Sequence, residues 1–157
     1  MTILLRTLCL LLIATTVSVA APERSKAASA AEIDADVRAT ADKFALQVRG
    51  ARELATKAEG VLVFPSVVKA GFGFGGEYGE GALLVRGRPN TYYNIVSASF
   101  GFQIGVQSRS IIIMFMSRDA LDQFDRTAGW KVGVDGSVVL VTLGADGSID
   151  TNNLTSP

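Results

Sequence analysis

The sequence predicts an α+β fold in which amphipathic helices come first and a mostly antiparallel sheet follows. Between residues 32 and 58, apolar residues recur every three or four positions, as they do on one face of a helix. From residue 61 onward, apolar runs and alternating apolar residues are typical of strands, with turn residues between them. We therefore expect the helices to pack on a curled sheet or a partial barrel.

The first helix is predicted from one apolar stripe, formed by Ile33, Val37, Ala41, Phe44 and Val48. A glycine at position 50 interrupts this stripe, and a second short helix follows it. Another glycine, at position 60, is expected to end that helix.

The predicted strands follow in a meander. They span residues 61–64, 67–76, 78–85, 92–99, 100–107, 110–116, 130–134 and 138–143. Pro65 is expected to end the first strand, and residues 87–90 to form a turn. Ser117 is a suitable N-cap for a short helix that ends at Arg126. The last two strands form a hairpin across Asp135-Gly136.

A glycine-rich segment dominates the first half of the sheet. Glycines alternate with large residues there, which on a strand leaves bare backbone for another strand, a ring or a ligand to approach. The glycines of this close-approach strand are Gly71, Gly73, Gly75, Gly76, Gly79 and Gly81. Three of them satisfy G-x-G-x-x-G, but a dinucleotide site needs a helix directly afterwards, and here the strand pattern continues.

Residues 1–20 are predicted to be a cleaved export signal, and residues 21–31 a linker. Arg6 precedes a short apolar run, and Ser18-Val19-Ala20 offers the small residues that a signal peptidase reads. Cleavage would remove Cys9, the only cysteine, and the chain has no histidine. Disulfides, thiolate or imidazole metal sites and Ser–His catalysis are then excluded, and we expect no metal and no cofactor.

The formal net charge is zero, so no overall attraction to nucleic acid or to anionic membranes is expected. A local basic set remains, formed by Arg49, Arg52, Lys57 and Lys69. Such a set near an amphipathic helix suits anionic lipid headgroups, although an ordinary solvated surface has the same pattern.

Other polar residues give weaker signals. Glu77 and Glu80 are three apart on a strand and are expected to point to opposite faces, which argues against shared acid–base chemistry. The aspartates at 119, 122 and 125 suit a solvated helix face better than a cation site. A hydrolase that uses the two glutamates, or a serine activated by Lys69, is the third, weaker hypothesis, because no nucleophile motif surrounds any serine.

Three stretches of the chain resemble a known family. They are GVLVFPSVVKAGFGFGGEYGEGALLVRG, YYNIVSASFGFQIGVQSRSIIIMFMSRDALDQF and WKVGVDGSVVLV, and they are similar to the SYLF domain, also called the Ysc84-type or Las17-binding domain. The resemblance runs from about Asp34 to Asn153. SYLF domains continue past a position like Pro157 with further strands, so we expect this domain, residues 32–157, to lack them.

The resemblance implies a non-enzymatic function. Eukaryotic members bind phosphoinositides and related anionic lipids, and some bind actin, whereas bacterial relatives are exported. Lys69 stands in the KAGF motif of the family. We therefore expect an anionic phospholipid or membrane surface as the partner, at the periplasm or outer membrane or after secretion. The alternative is a structural or adaptor protein whose open sheet edge pairs with a second copy or an envelope protein.

Overall fold

Three helices and six strands form within residues 28–72, 74–100, 105–127 and 137–153, the part of the chain that the computed structural model describes. The helices are α1 (Ala30–Gln47), α2 (Ala51–Lys57) and α3 (Arg118–Arg126). The strands are β1 (Gly60–Phe72), β2 (Phe74–Val85), β3 (Arg88–Phe100), β4 (Gly105–Phe115), β5 (Val138–Gly144) and β6 (Ile149–Asn153). Within these ranges no helix has the length and apolarity needed to span a bilayer.

The six strands make one open, curled antiparallel sheet in the order β3-β2-β1-β4-β5-β6. This confirms the predicted α+β class with the helices at the N-terminal end. The outer strands β3 and β6 do not pair with each other, so the sheet is not a closed barrel. Helices α1 and α2 cover one face, which we call the α1 face, and α3 covers the other, the α3 face.

Two of the helices begin at a serine cap. The Ser29 hydroxyl accepts from the Glu32 amide, and the Glu32 carboxylate accepts from the Ser29 amide, which together form a capping box. This arrangement lowers the pKa of Glu32, chiefly through the backbone hydrogen bond. Ser117 accepts from the Ala120 amide at 3.2 Å and caps α3, as predicted. Gly50 has φ of +79° and allows the sharp turn between α1 and α2.

Two apolar clusters lie on the two faces of the sheet. On the α1 face, Val37 and Phe44 of α1 pack with Val63, Ile112 and other strand residues. On the α3 face, Leu121 packs with Leu62 and Phe115. Because β4 is covered on both sides, its residues 111–115 are all buried, which explains the continuous apolar run IIIMF.

Strand β1 runs through Pro65, contrary to the prediction that this proline ends it. Between the pairs Val63–Ala82 and Ser66–Glu80, β1 has one residue more than β2, and its register with β4 shifts at the same place. The extra residue is a β-bulge, which accommodates a proline without an N–H group. The Ser110 hydroxyl donates to the Pro65 carbonyl at 2.7 Å and fixes the bulge.

The bulge separates a helix-covered part of the sheet from a part that extends beyond the helices. We call the latter the sheet extension; it comprises residues 67–72, 74–79, 95–100 and 105–109. Residues 71 and 75 are paired, so the reversal between β1 and β2 lies near position 73 and not after Gly76 as predicted.

The turn between β2 and β3 also differs slightly from the expectation. It consists of Arg86 and Gly87, with φ of +54° and +75°, so the chain reverses two residues earlier than at the predicted turn centre, residues 88 and 89. The predicted strand at residues 130–134 lies outside the described residues.

Candidate functional site

One cavity lies between α1, α2 and the sheet. Its volume is about 550 Å³, within the range of roughly 300–1,000 Å³ common for small-molecule sites. Its lining is mostly apolar. The apolar residues around it are Ala41, Phe44, Ala45, Ala51, Ala55, Val61, Val63, Leu84 and Ile112.

Alanines on the two helices explain why this space remains open. Ala41 and Ala45 lie one turn apart on α1, and Ala51 and Ala55 lie one turn apart on α2. A one-carbon side chain at these positions leaves a gap above the larger strand residues. The helical spacing that places apolar residues against the sheet therefore also makes the cavity.

Cations border this apolar space. Arg38 and Arg52 line the cavity together with Asp42 and Thr56. A neighbouring cavity of about 730 Å³ shares Ala55 and Leu84 with the first.

The neighbouring cavity is also lined by three cations that the first cavity lacks, Lys57, Arg86 and Arg118. Among the described residues, Arg38, Arg52 and Arg86 form no ion pair, whereas Lys57 and Arg118 do. An apolar groove with unneutralised guanidinium groups at its border is suited to an amphiphile with an anionic end.

The four predicted basic residues do not form one cluster. Arg52 lines the cavity, and Arg49 lies exposed in the turn between α1 and α2. Lys57 ends α2 and pairs with Glu53 at 2.7 Å. Lys69 follows Val67 on the α3 face, so the sheet separates it from the helical cations.

Lys69 belongs to a separate charged group on the sheet extension. Glu77 accepts two hydrogen bonds from the Arg109 guanidinium, at 3.1 and 3.2 Å, and lies 3.8 Å from the Lys69 ammonium. The Glu77 side chain is only 13% exposed, so the two cations offset the cost of partly burying its charge. Glu80 points to the other face, as predicted from its spacing.

Tyrosine hydroxyl groups on the sheet form hydrogen bonds with helices α1 and α3. Tyr92 donates to Asp34 of α1 at 2.9 Å, and Tyr93 donates to Asp125 of α3 at 2.8 Å. Burial, followed by the hydrogen bond to Asp125, raises the pKa of Tyr93 to about 12. Hydrogen bonding to Asp34 raises the pKa of Tyr92.

Another tyrosine, Tyr78, bonds to a carboxylate that contacts the chain just before α1. Tyr78 donates to Glu80 at 2.7 Å, and Glu80 also accepts from the Ala28 amide at 3.1 Å. The hydrogen bond to Glu80 raises the pKa of Tyr78. This pair of contacts joins the start of α1 to the border of the sheet extension.

The glycine strand has two close approaches of backbone. A Cβ at Gly79 would lie 2.8 Å from the Ser66 carbonyl oxygen, and a Cβ at Gly81 would overlap the Val63 carbonyl oxygen. Both glycines face the bulge in β1. Gly76 has more room, with 3.3 Å to the Ser97 carbonyl oxygen. Gly71 and Gly75 pair with each other, and Gly73 lies outside the described residues.

The candidate carboxylates and serines have structural partners. Asp122 pairs with Arg118 at 3.5 Å. Ser66 and Ser108 are within 3.1 Å of each other on the α1 face, the face opposite Lys69, so no serine–lysine pair forms between them. Within the described ranges, no three metal-ligating residues cluster.

Comparison with known families gives a match in the C-terminal part of the chain. Residues 96–156 match the Ysc84 family model, described as Las17-binding protein actin regulator. This match covers less than half of the 157 residues, and it shows that this part of the chain is similar to the SYLF, or Ysc84-type, family. Comparison with curated proteins gives no match.

The SYLF match covers β4, α3, β5, β6 and the end of β3, a shorter range than the resemblance in the sequence. Of the cavity lining, only Ile112 falls inside it. Sequence reasoning missed Arg38 and Arg86. Arg38 could have been found from its helical spacing, because it lies three residues before Ala41 and one turn before Asp42, on the same side of α1. Arg86 could not, because only the fold brings this hairpin residue to the site.

Proposed function

We propose that this protein is a non-enzymatic domain that binds anionic phospholipid at the bacterial cell envelope. The observation that carries the proposal is the apolar cavity beneath α1 and α2 with Arg38 and Arg52 at its border. An acyl chain lies in the apolar part, and the headgroup phosphate pairs with the guanidinium groups. The leader-like residues 1–20 support the location at the envelope.

Charge reversal at the cavity border tests this function. The variant Arg38→Glu/Arg52→Glu is expected to bind vesicles containing anionic phospholipid about tenfold more weakly or worse, because each cation contributes about 1 kcal/mol near an anionic surface. Co-sedimentation of the processed protein with anionic and with neutral vesicles measures the change.

The matched control is Lys43→Glu/Arg126→Glu, which changes the net charge equally at exposed positions away from the cavity. If both double variants lose the same affinity, general charge and not the cavity governs binding. If the unaltered protein stays in the supernatant with both kinds of vesicle, the proposed function is wrong.

A protein partner at the open sheet edge is the second candidate. Strand β3 has 13 residues and, within the described part of the chain, pairs only with β2. Such an edge invites pairing with another strand, and the family description names Las17 binding and actin regulation. Sedimentation velocity of the processed protein, alone and with filamentous actin, checks this candidate. A monomer that does not sediment with actin would contradict it.

A further inference from the structure

The sheet extension has an exposed apolar surface on the α1 face. It contains Phe74, Val106 and Val96, with exposed fractions of 75%, 74% and 70%, and the less exposed Val68 and Tyr78. The register places Val96, Tyr78 and Val68 in one row across three neighbouring strands. We call these five residues and the small residues between them the apolar tip.

The residues between the large side chains are small. Ala98, Gly76 and Ala70 form the next row, and Val106 continues that row on β4. No described residue of these rows is charged. In an antiparallel sheet, the face that alternates with a charged face is normally the one that is buried, and here the opposite face carries Lys69, Glu77 and Arg109.

Polar residues border the apolar tip on the side of α1. Asn94, Glu80 and Ser66 are paired across the strands at this border. Phe74, the most exposed residue of the apolar tip, lies farthest from it along β2. The exposed apolar side chains therefore lie beyond the polar border, on the side away from the helices.

The size of the apolar tip argues against a stable dimer through this surface. The two described rows across four strands, with Phe74 beyond them, cover about 300 Å², whereas a stable protein interface buries roughly 800 Å² on each partner. The chain before α1 is also a poor cover. Although Ala28 lies at the border through its bond to Glu80, residues 21–27 (APERSKA) contain three charged residues and no large apolar one.

We infer that the apolar tip inserts into the surface of a phospholipid bilayer. Its uncharged aliphatic and aromatic side chains enter the boundary between headgroups and acyl chains, where aromatic residues are favoured. The inference rests on the proposed function in naming phospholipid as partner, but it assigns a second contact that needs no anionic headgroup. The cavity binds a single lipid molecule, and the apolar tip inserts into the bilayer surface.

A fluorescent probe at the tip tests the insertion. The processed protein has no cysteine, so the variants Phe74→Cys and Leu46→Cys each carry a single label with an environment-sensitive dye; Leu46 is exposed on α1, away from the tip. With vesicles of phosphatidylcholine alone, the dye at position 74 is expected to shift to the blue and brighten, and the dye at position 46 to stay unchanged.

Several outcomes overturn the inference. The first is that the dye emission at position 74 does not shift, and the second is that the emission at position 46 shifts equally. The third is that the emission at position 74 shifts without vesicles when the protein concentration is raised, which would indicate a second copy on this surface. In addition, Phe74→Ser/Val96→Ser is expected to lower the partition into neutral vesicles about tenfold, in proportion to the apolar area removed. An unchanged partition also overturns it.

The two proposals fail separately. If Arg38→Glu/Arg52→Glu loses binding to anionic vesicles while position 74 shows no insertion, the cavity site stands and the tip does not. If position 74 inserts into neutral vesicles while the protein shows no preference for anionic lipid, the tip stands and the proposed function does not.

Discussion

Replacing Gly81 by alanine is expected to lower the free energy of unfolding by about 3 kcal/mol, because the added carbon overlaps backbone. Its Cβ would overlap the van der Waals sphere of the Val63 carbonyl oxygen and lie 2.9 Å from the Val63 carbonyl carbon. A backbone carbonyl at a bulge cannot rotate away as a side chain can. The φ angle of Gly81 is not among the positive ones, so the effect is steric and not conformational.

Urea denaturation of the unaltered protein and of Gly81→Ala measures this loss. Gly76→Ala is the matched control, on the same strand with more room, and is expected to change stability by less than about 1 kcal/mol. Gly79→Ala should fall between them, since its Cβ would lie 2.8 Å from the Ser66 carbonyl oxygen. Equal stability of Gly81→Ala and Gly76→Ala would contradict the close approach at the bulge.

Replacing Phe115 by alanine is expected to cost about 3–5 kcal/mol, the usual range for removing a buried phenylalanine. Phe115 is fully buried on the α3 face, and its ring centroid lies 4.9 Å from that of Phe124. Phe124 in turn stacks on Tyr93 at 5.0 Å. Loss of the Phe115 ring therefore leaves a cavity and also removes a ring contact that helps to hold α3 on the sheet.

The same denaturation experiment, with the helical circular dichroism signal followed, checks this prediction. Phe115→Leu keeps most of the volume and should cost less than half as much. Binding to anionic vesicles should survive in Phe115→Leu, because the α1–α2 cavity lies on the other face of the sheet. A Phe115→Ala protein as stable as the unaltered one would contradict the packing of α3 described above.

Local signals predicted most of the elements. The stripe from Ile33 to Val48 and the interruption at Gly50 correspond to α1 and α2, and Ser117 caps α3 as expected. These features depend on residues within one or two turns of each other, which is why the sequence shows them. The opposite orientations of Glu77 and Glu80 follow in the same way from the two-residue period of a strand.

The differences arise where distant strands meet. Pro65 was expected to end a strand, but β4 and the Ser110 hydroxyl stabilise a bulge there. The basic residues were expected to act together, but the strand register places Lys69 beside Glu77 and Arg109 on the α3 face. The contact of Arg86 with the groove depends on where a hairpin turn lies relative to α2.

The sequence by itself determined the α+β class, the approximate positions of the helices and the glycines that allow backbone to approach, because each depends on periodicity or on the absence of a side chain. Only the tertiary structure decided which cations share a surface, where the cavity opens and which apolar residues remain uncovered. The physical reason is that the burial of a side chain and the charges around it depend on strand register and on packing between distant segments. Local spacing in the sequence encodes neither the register nor this packing.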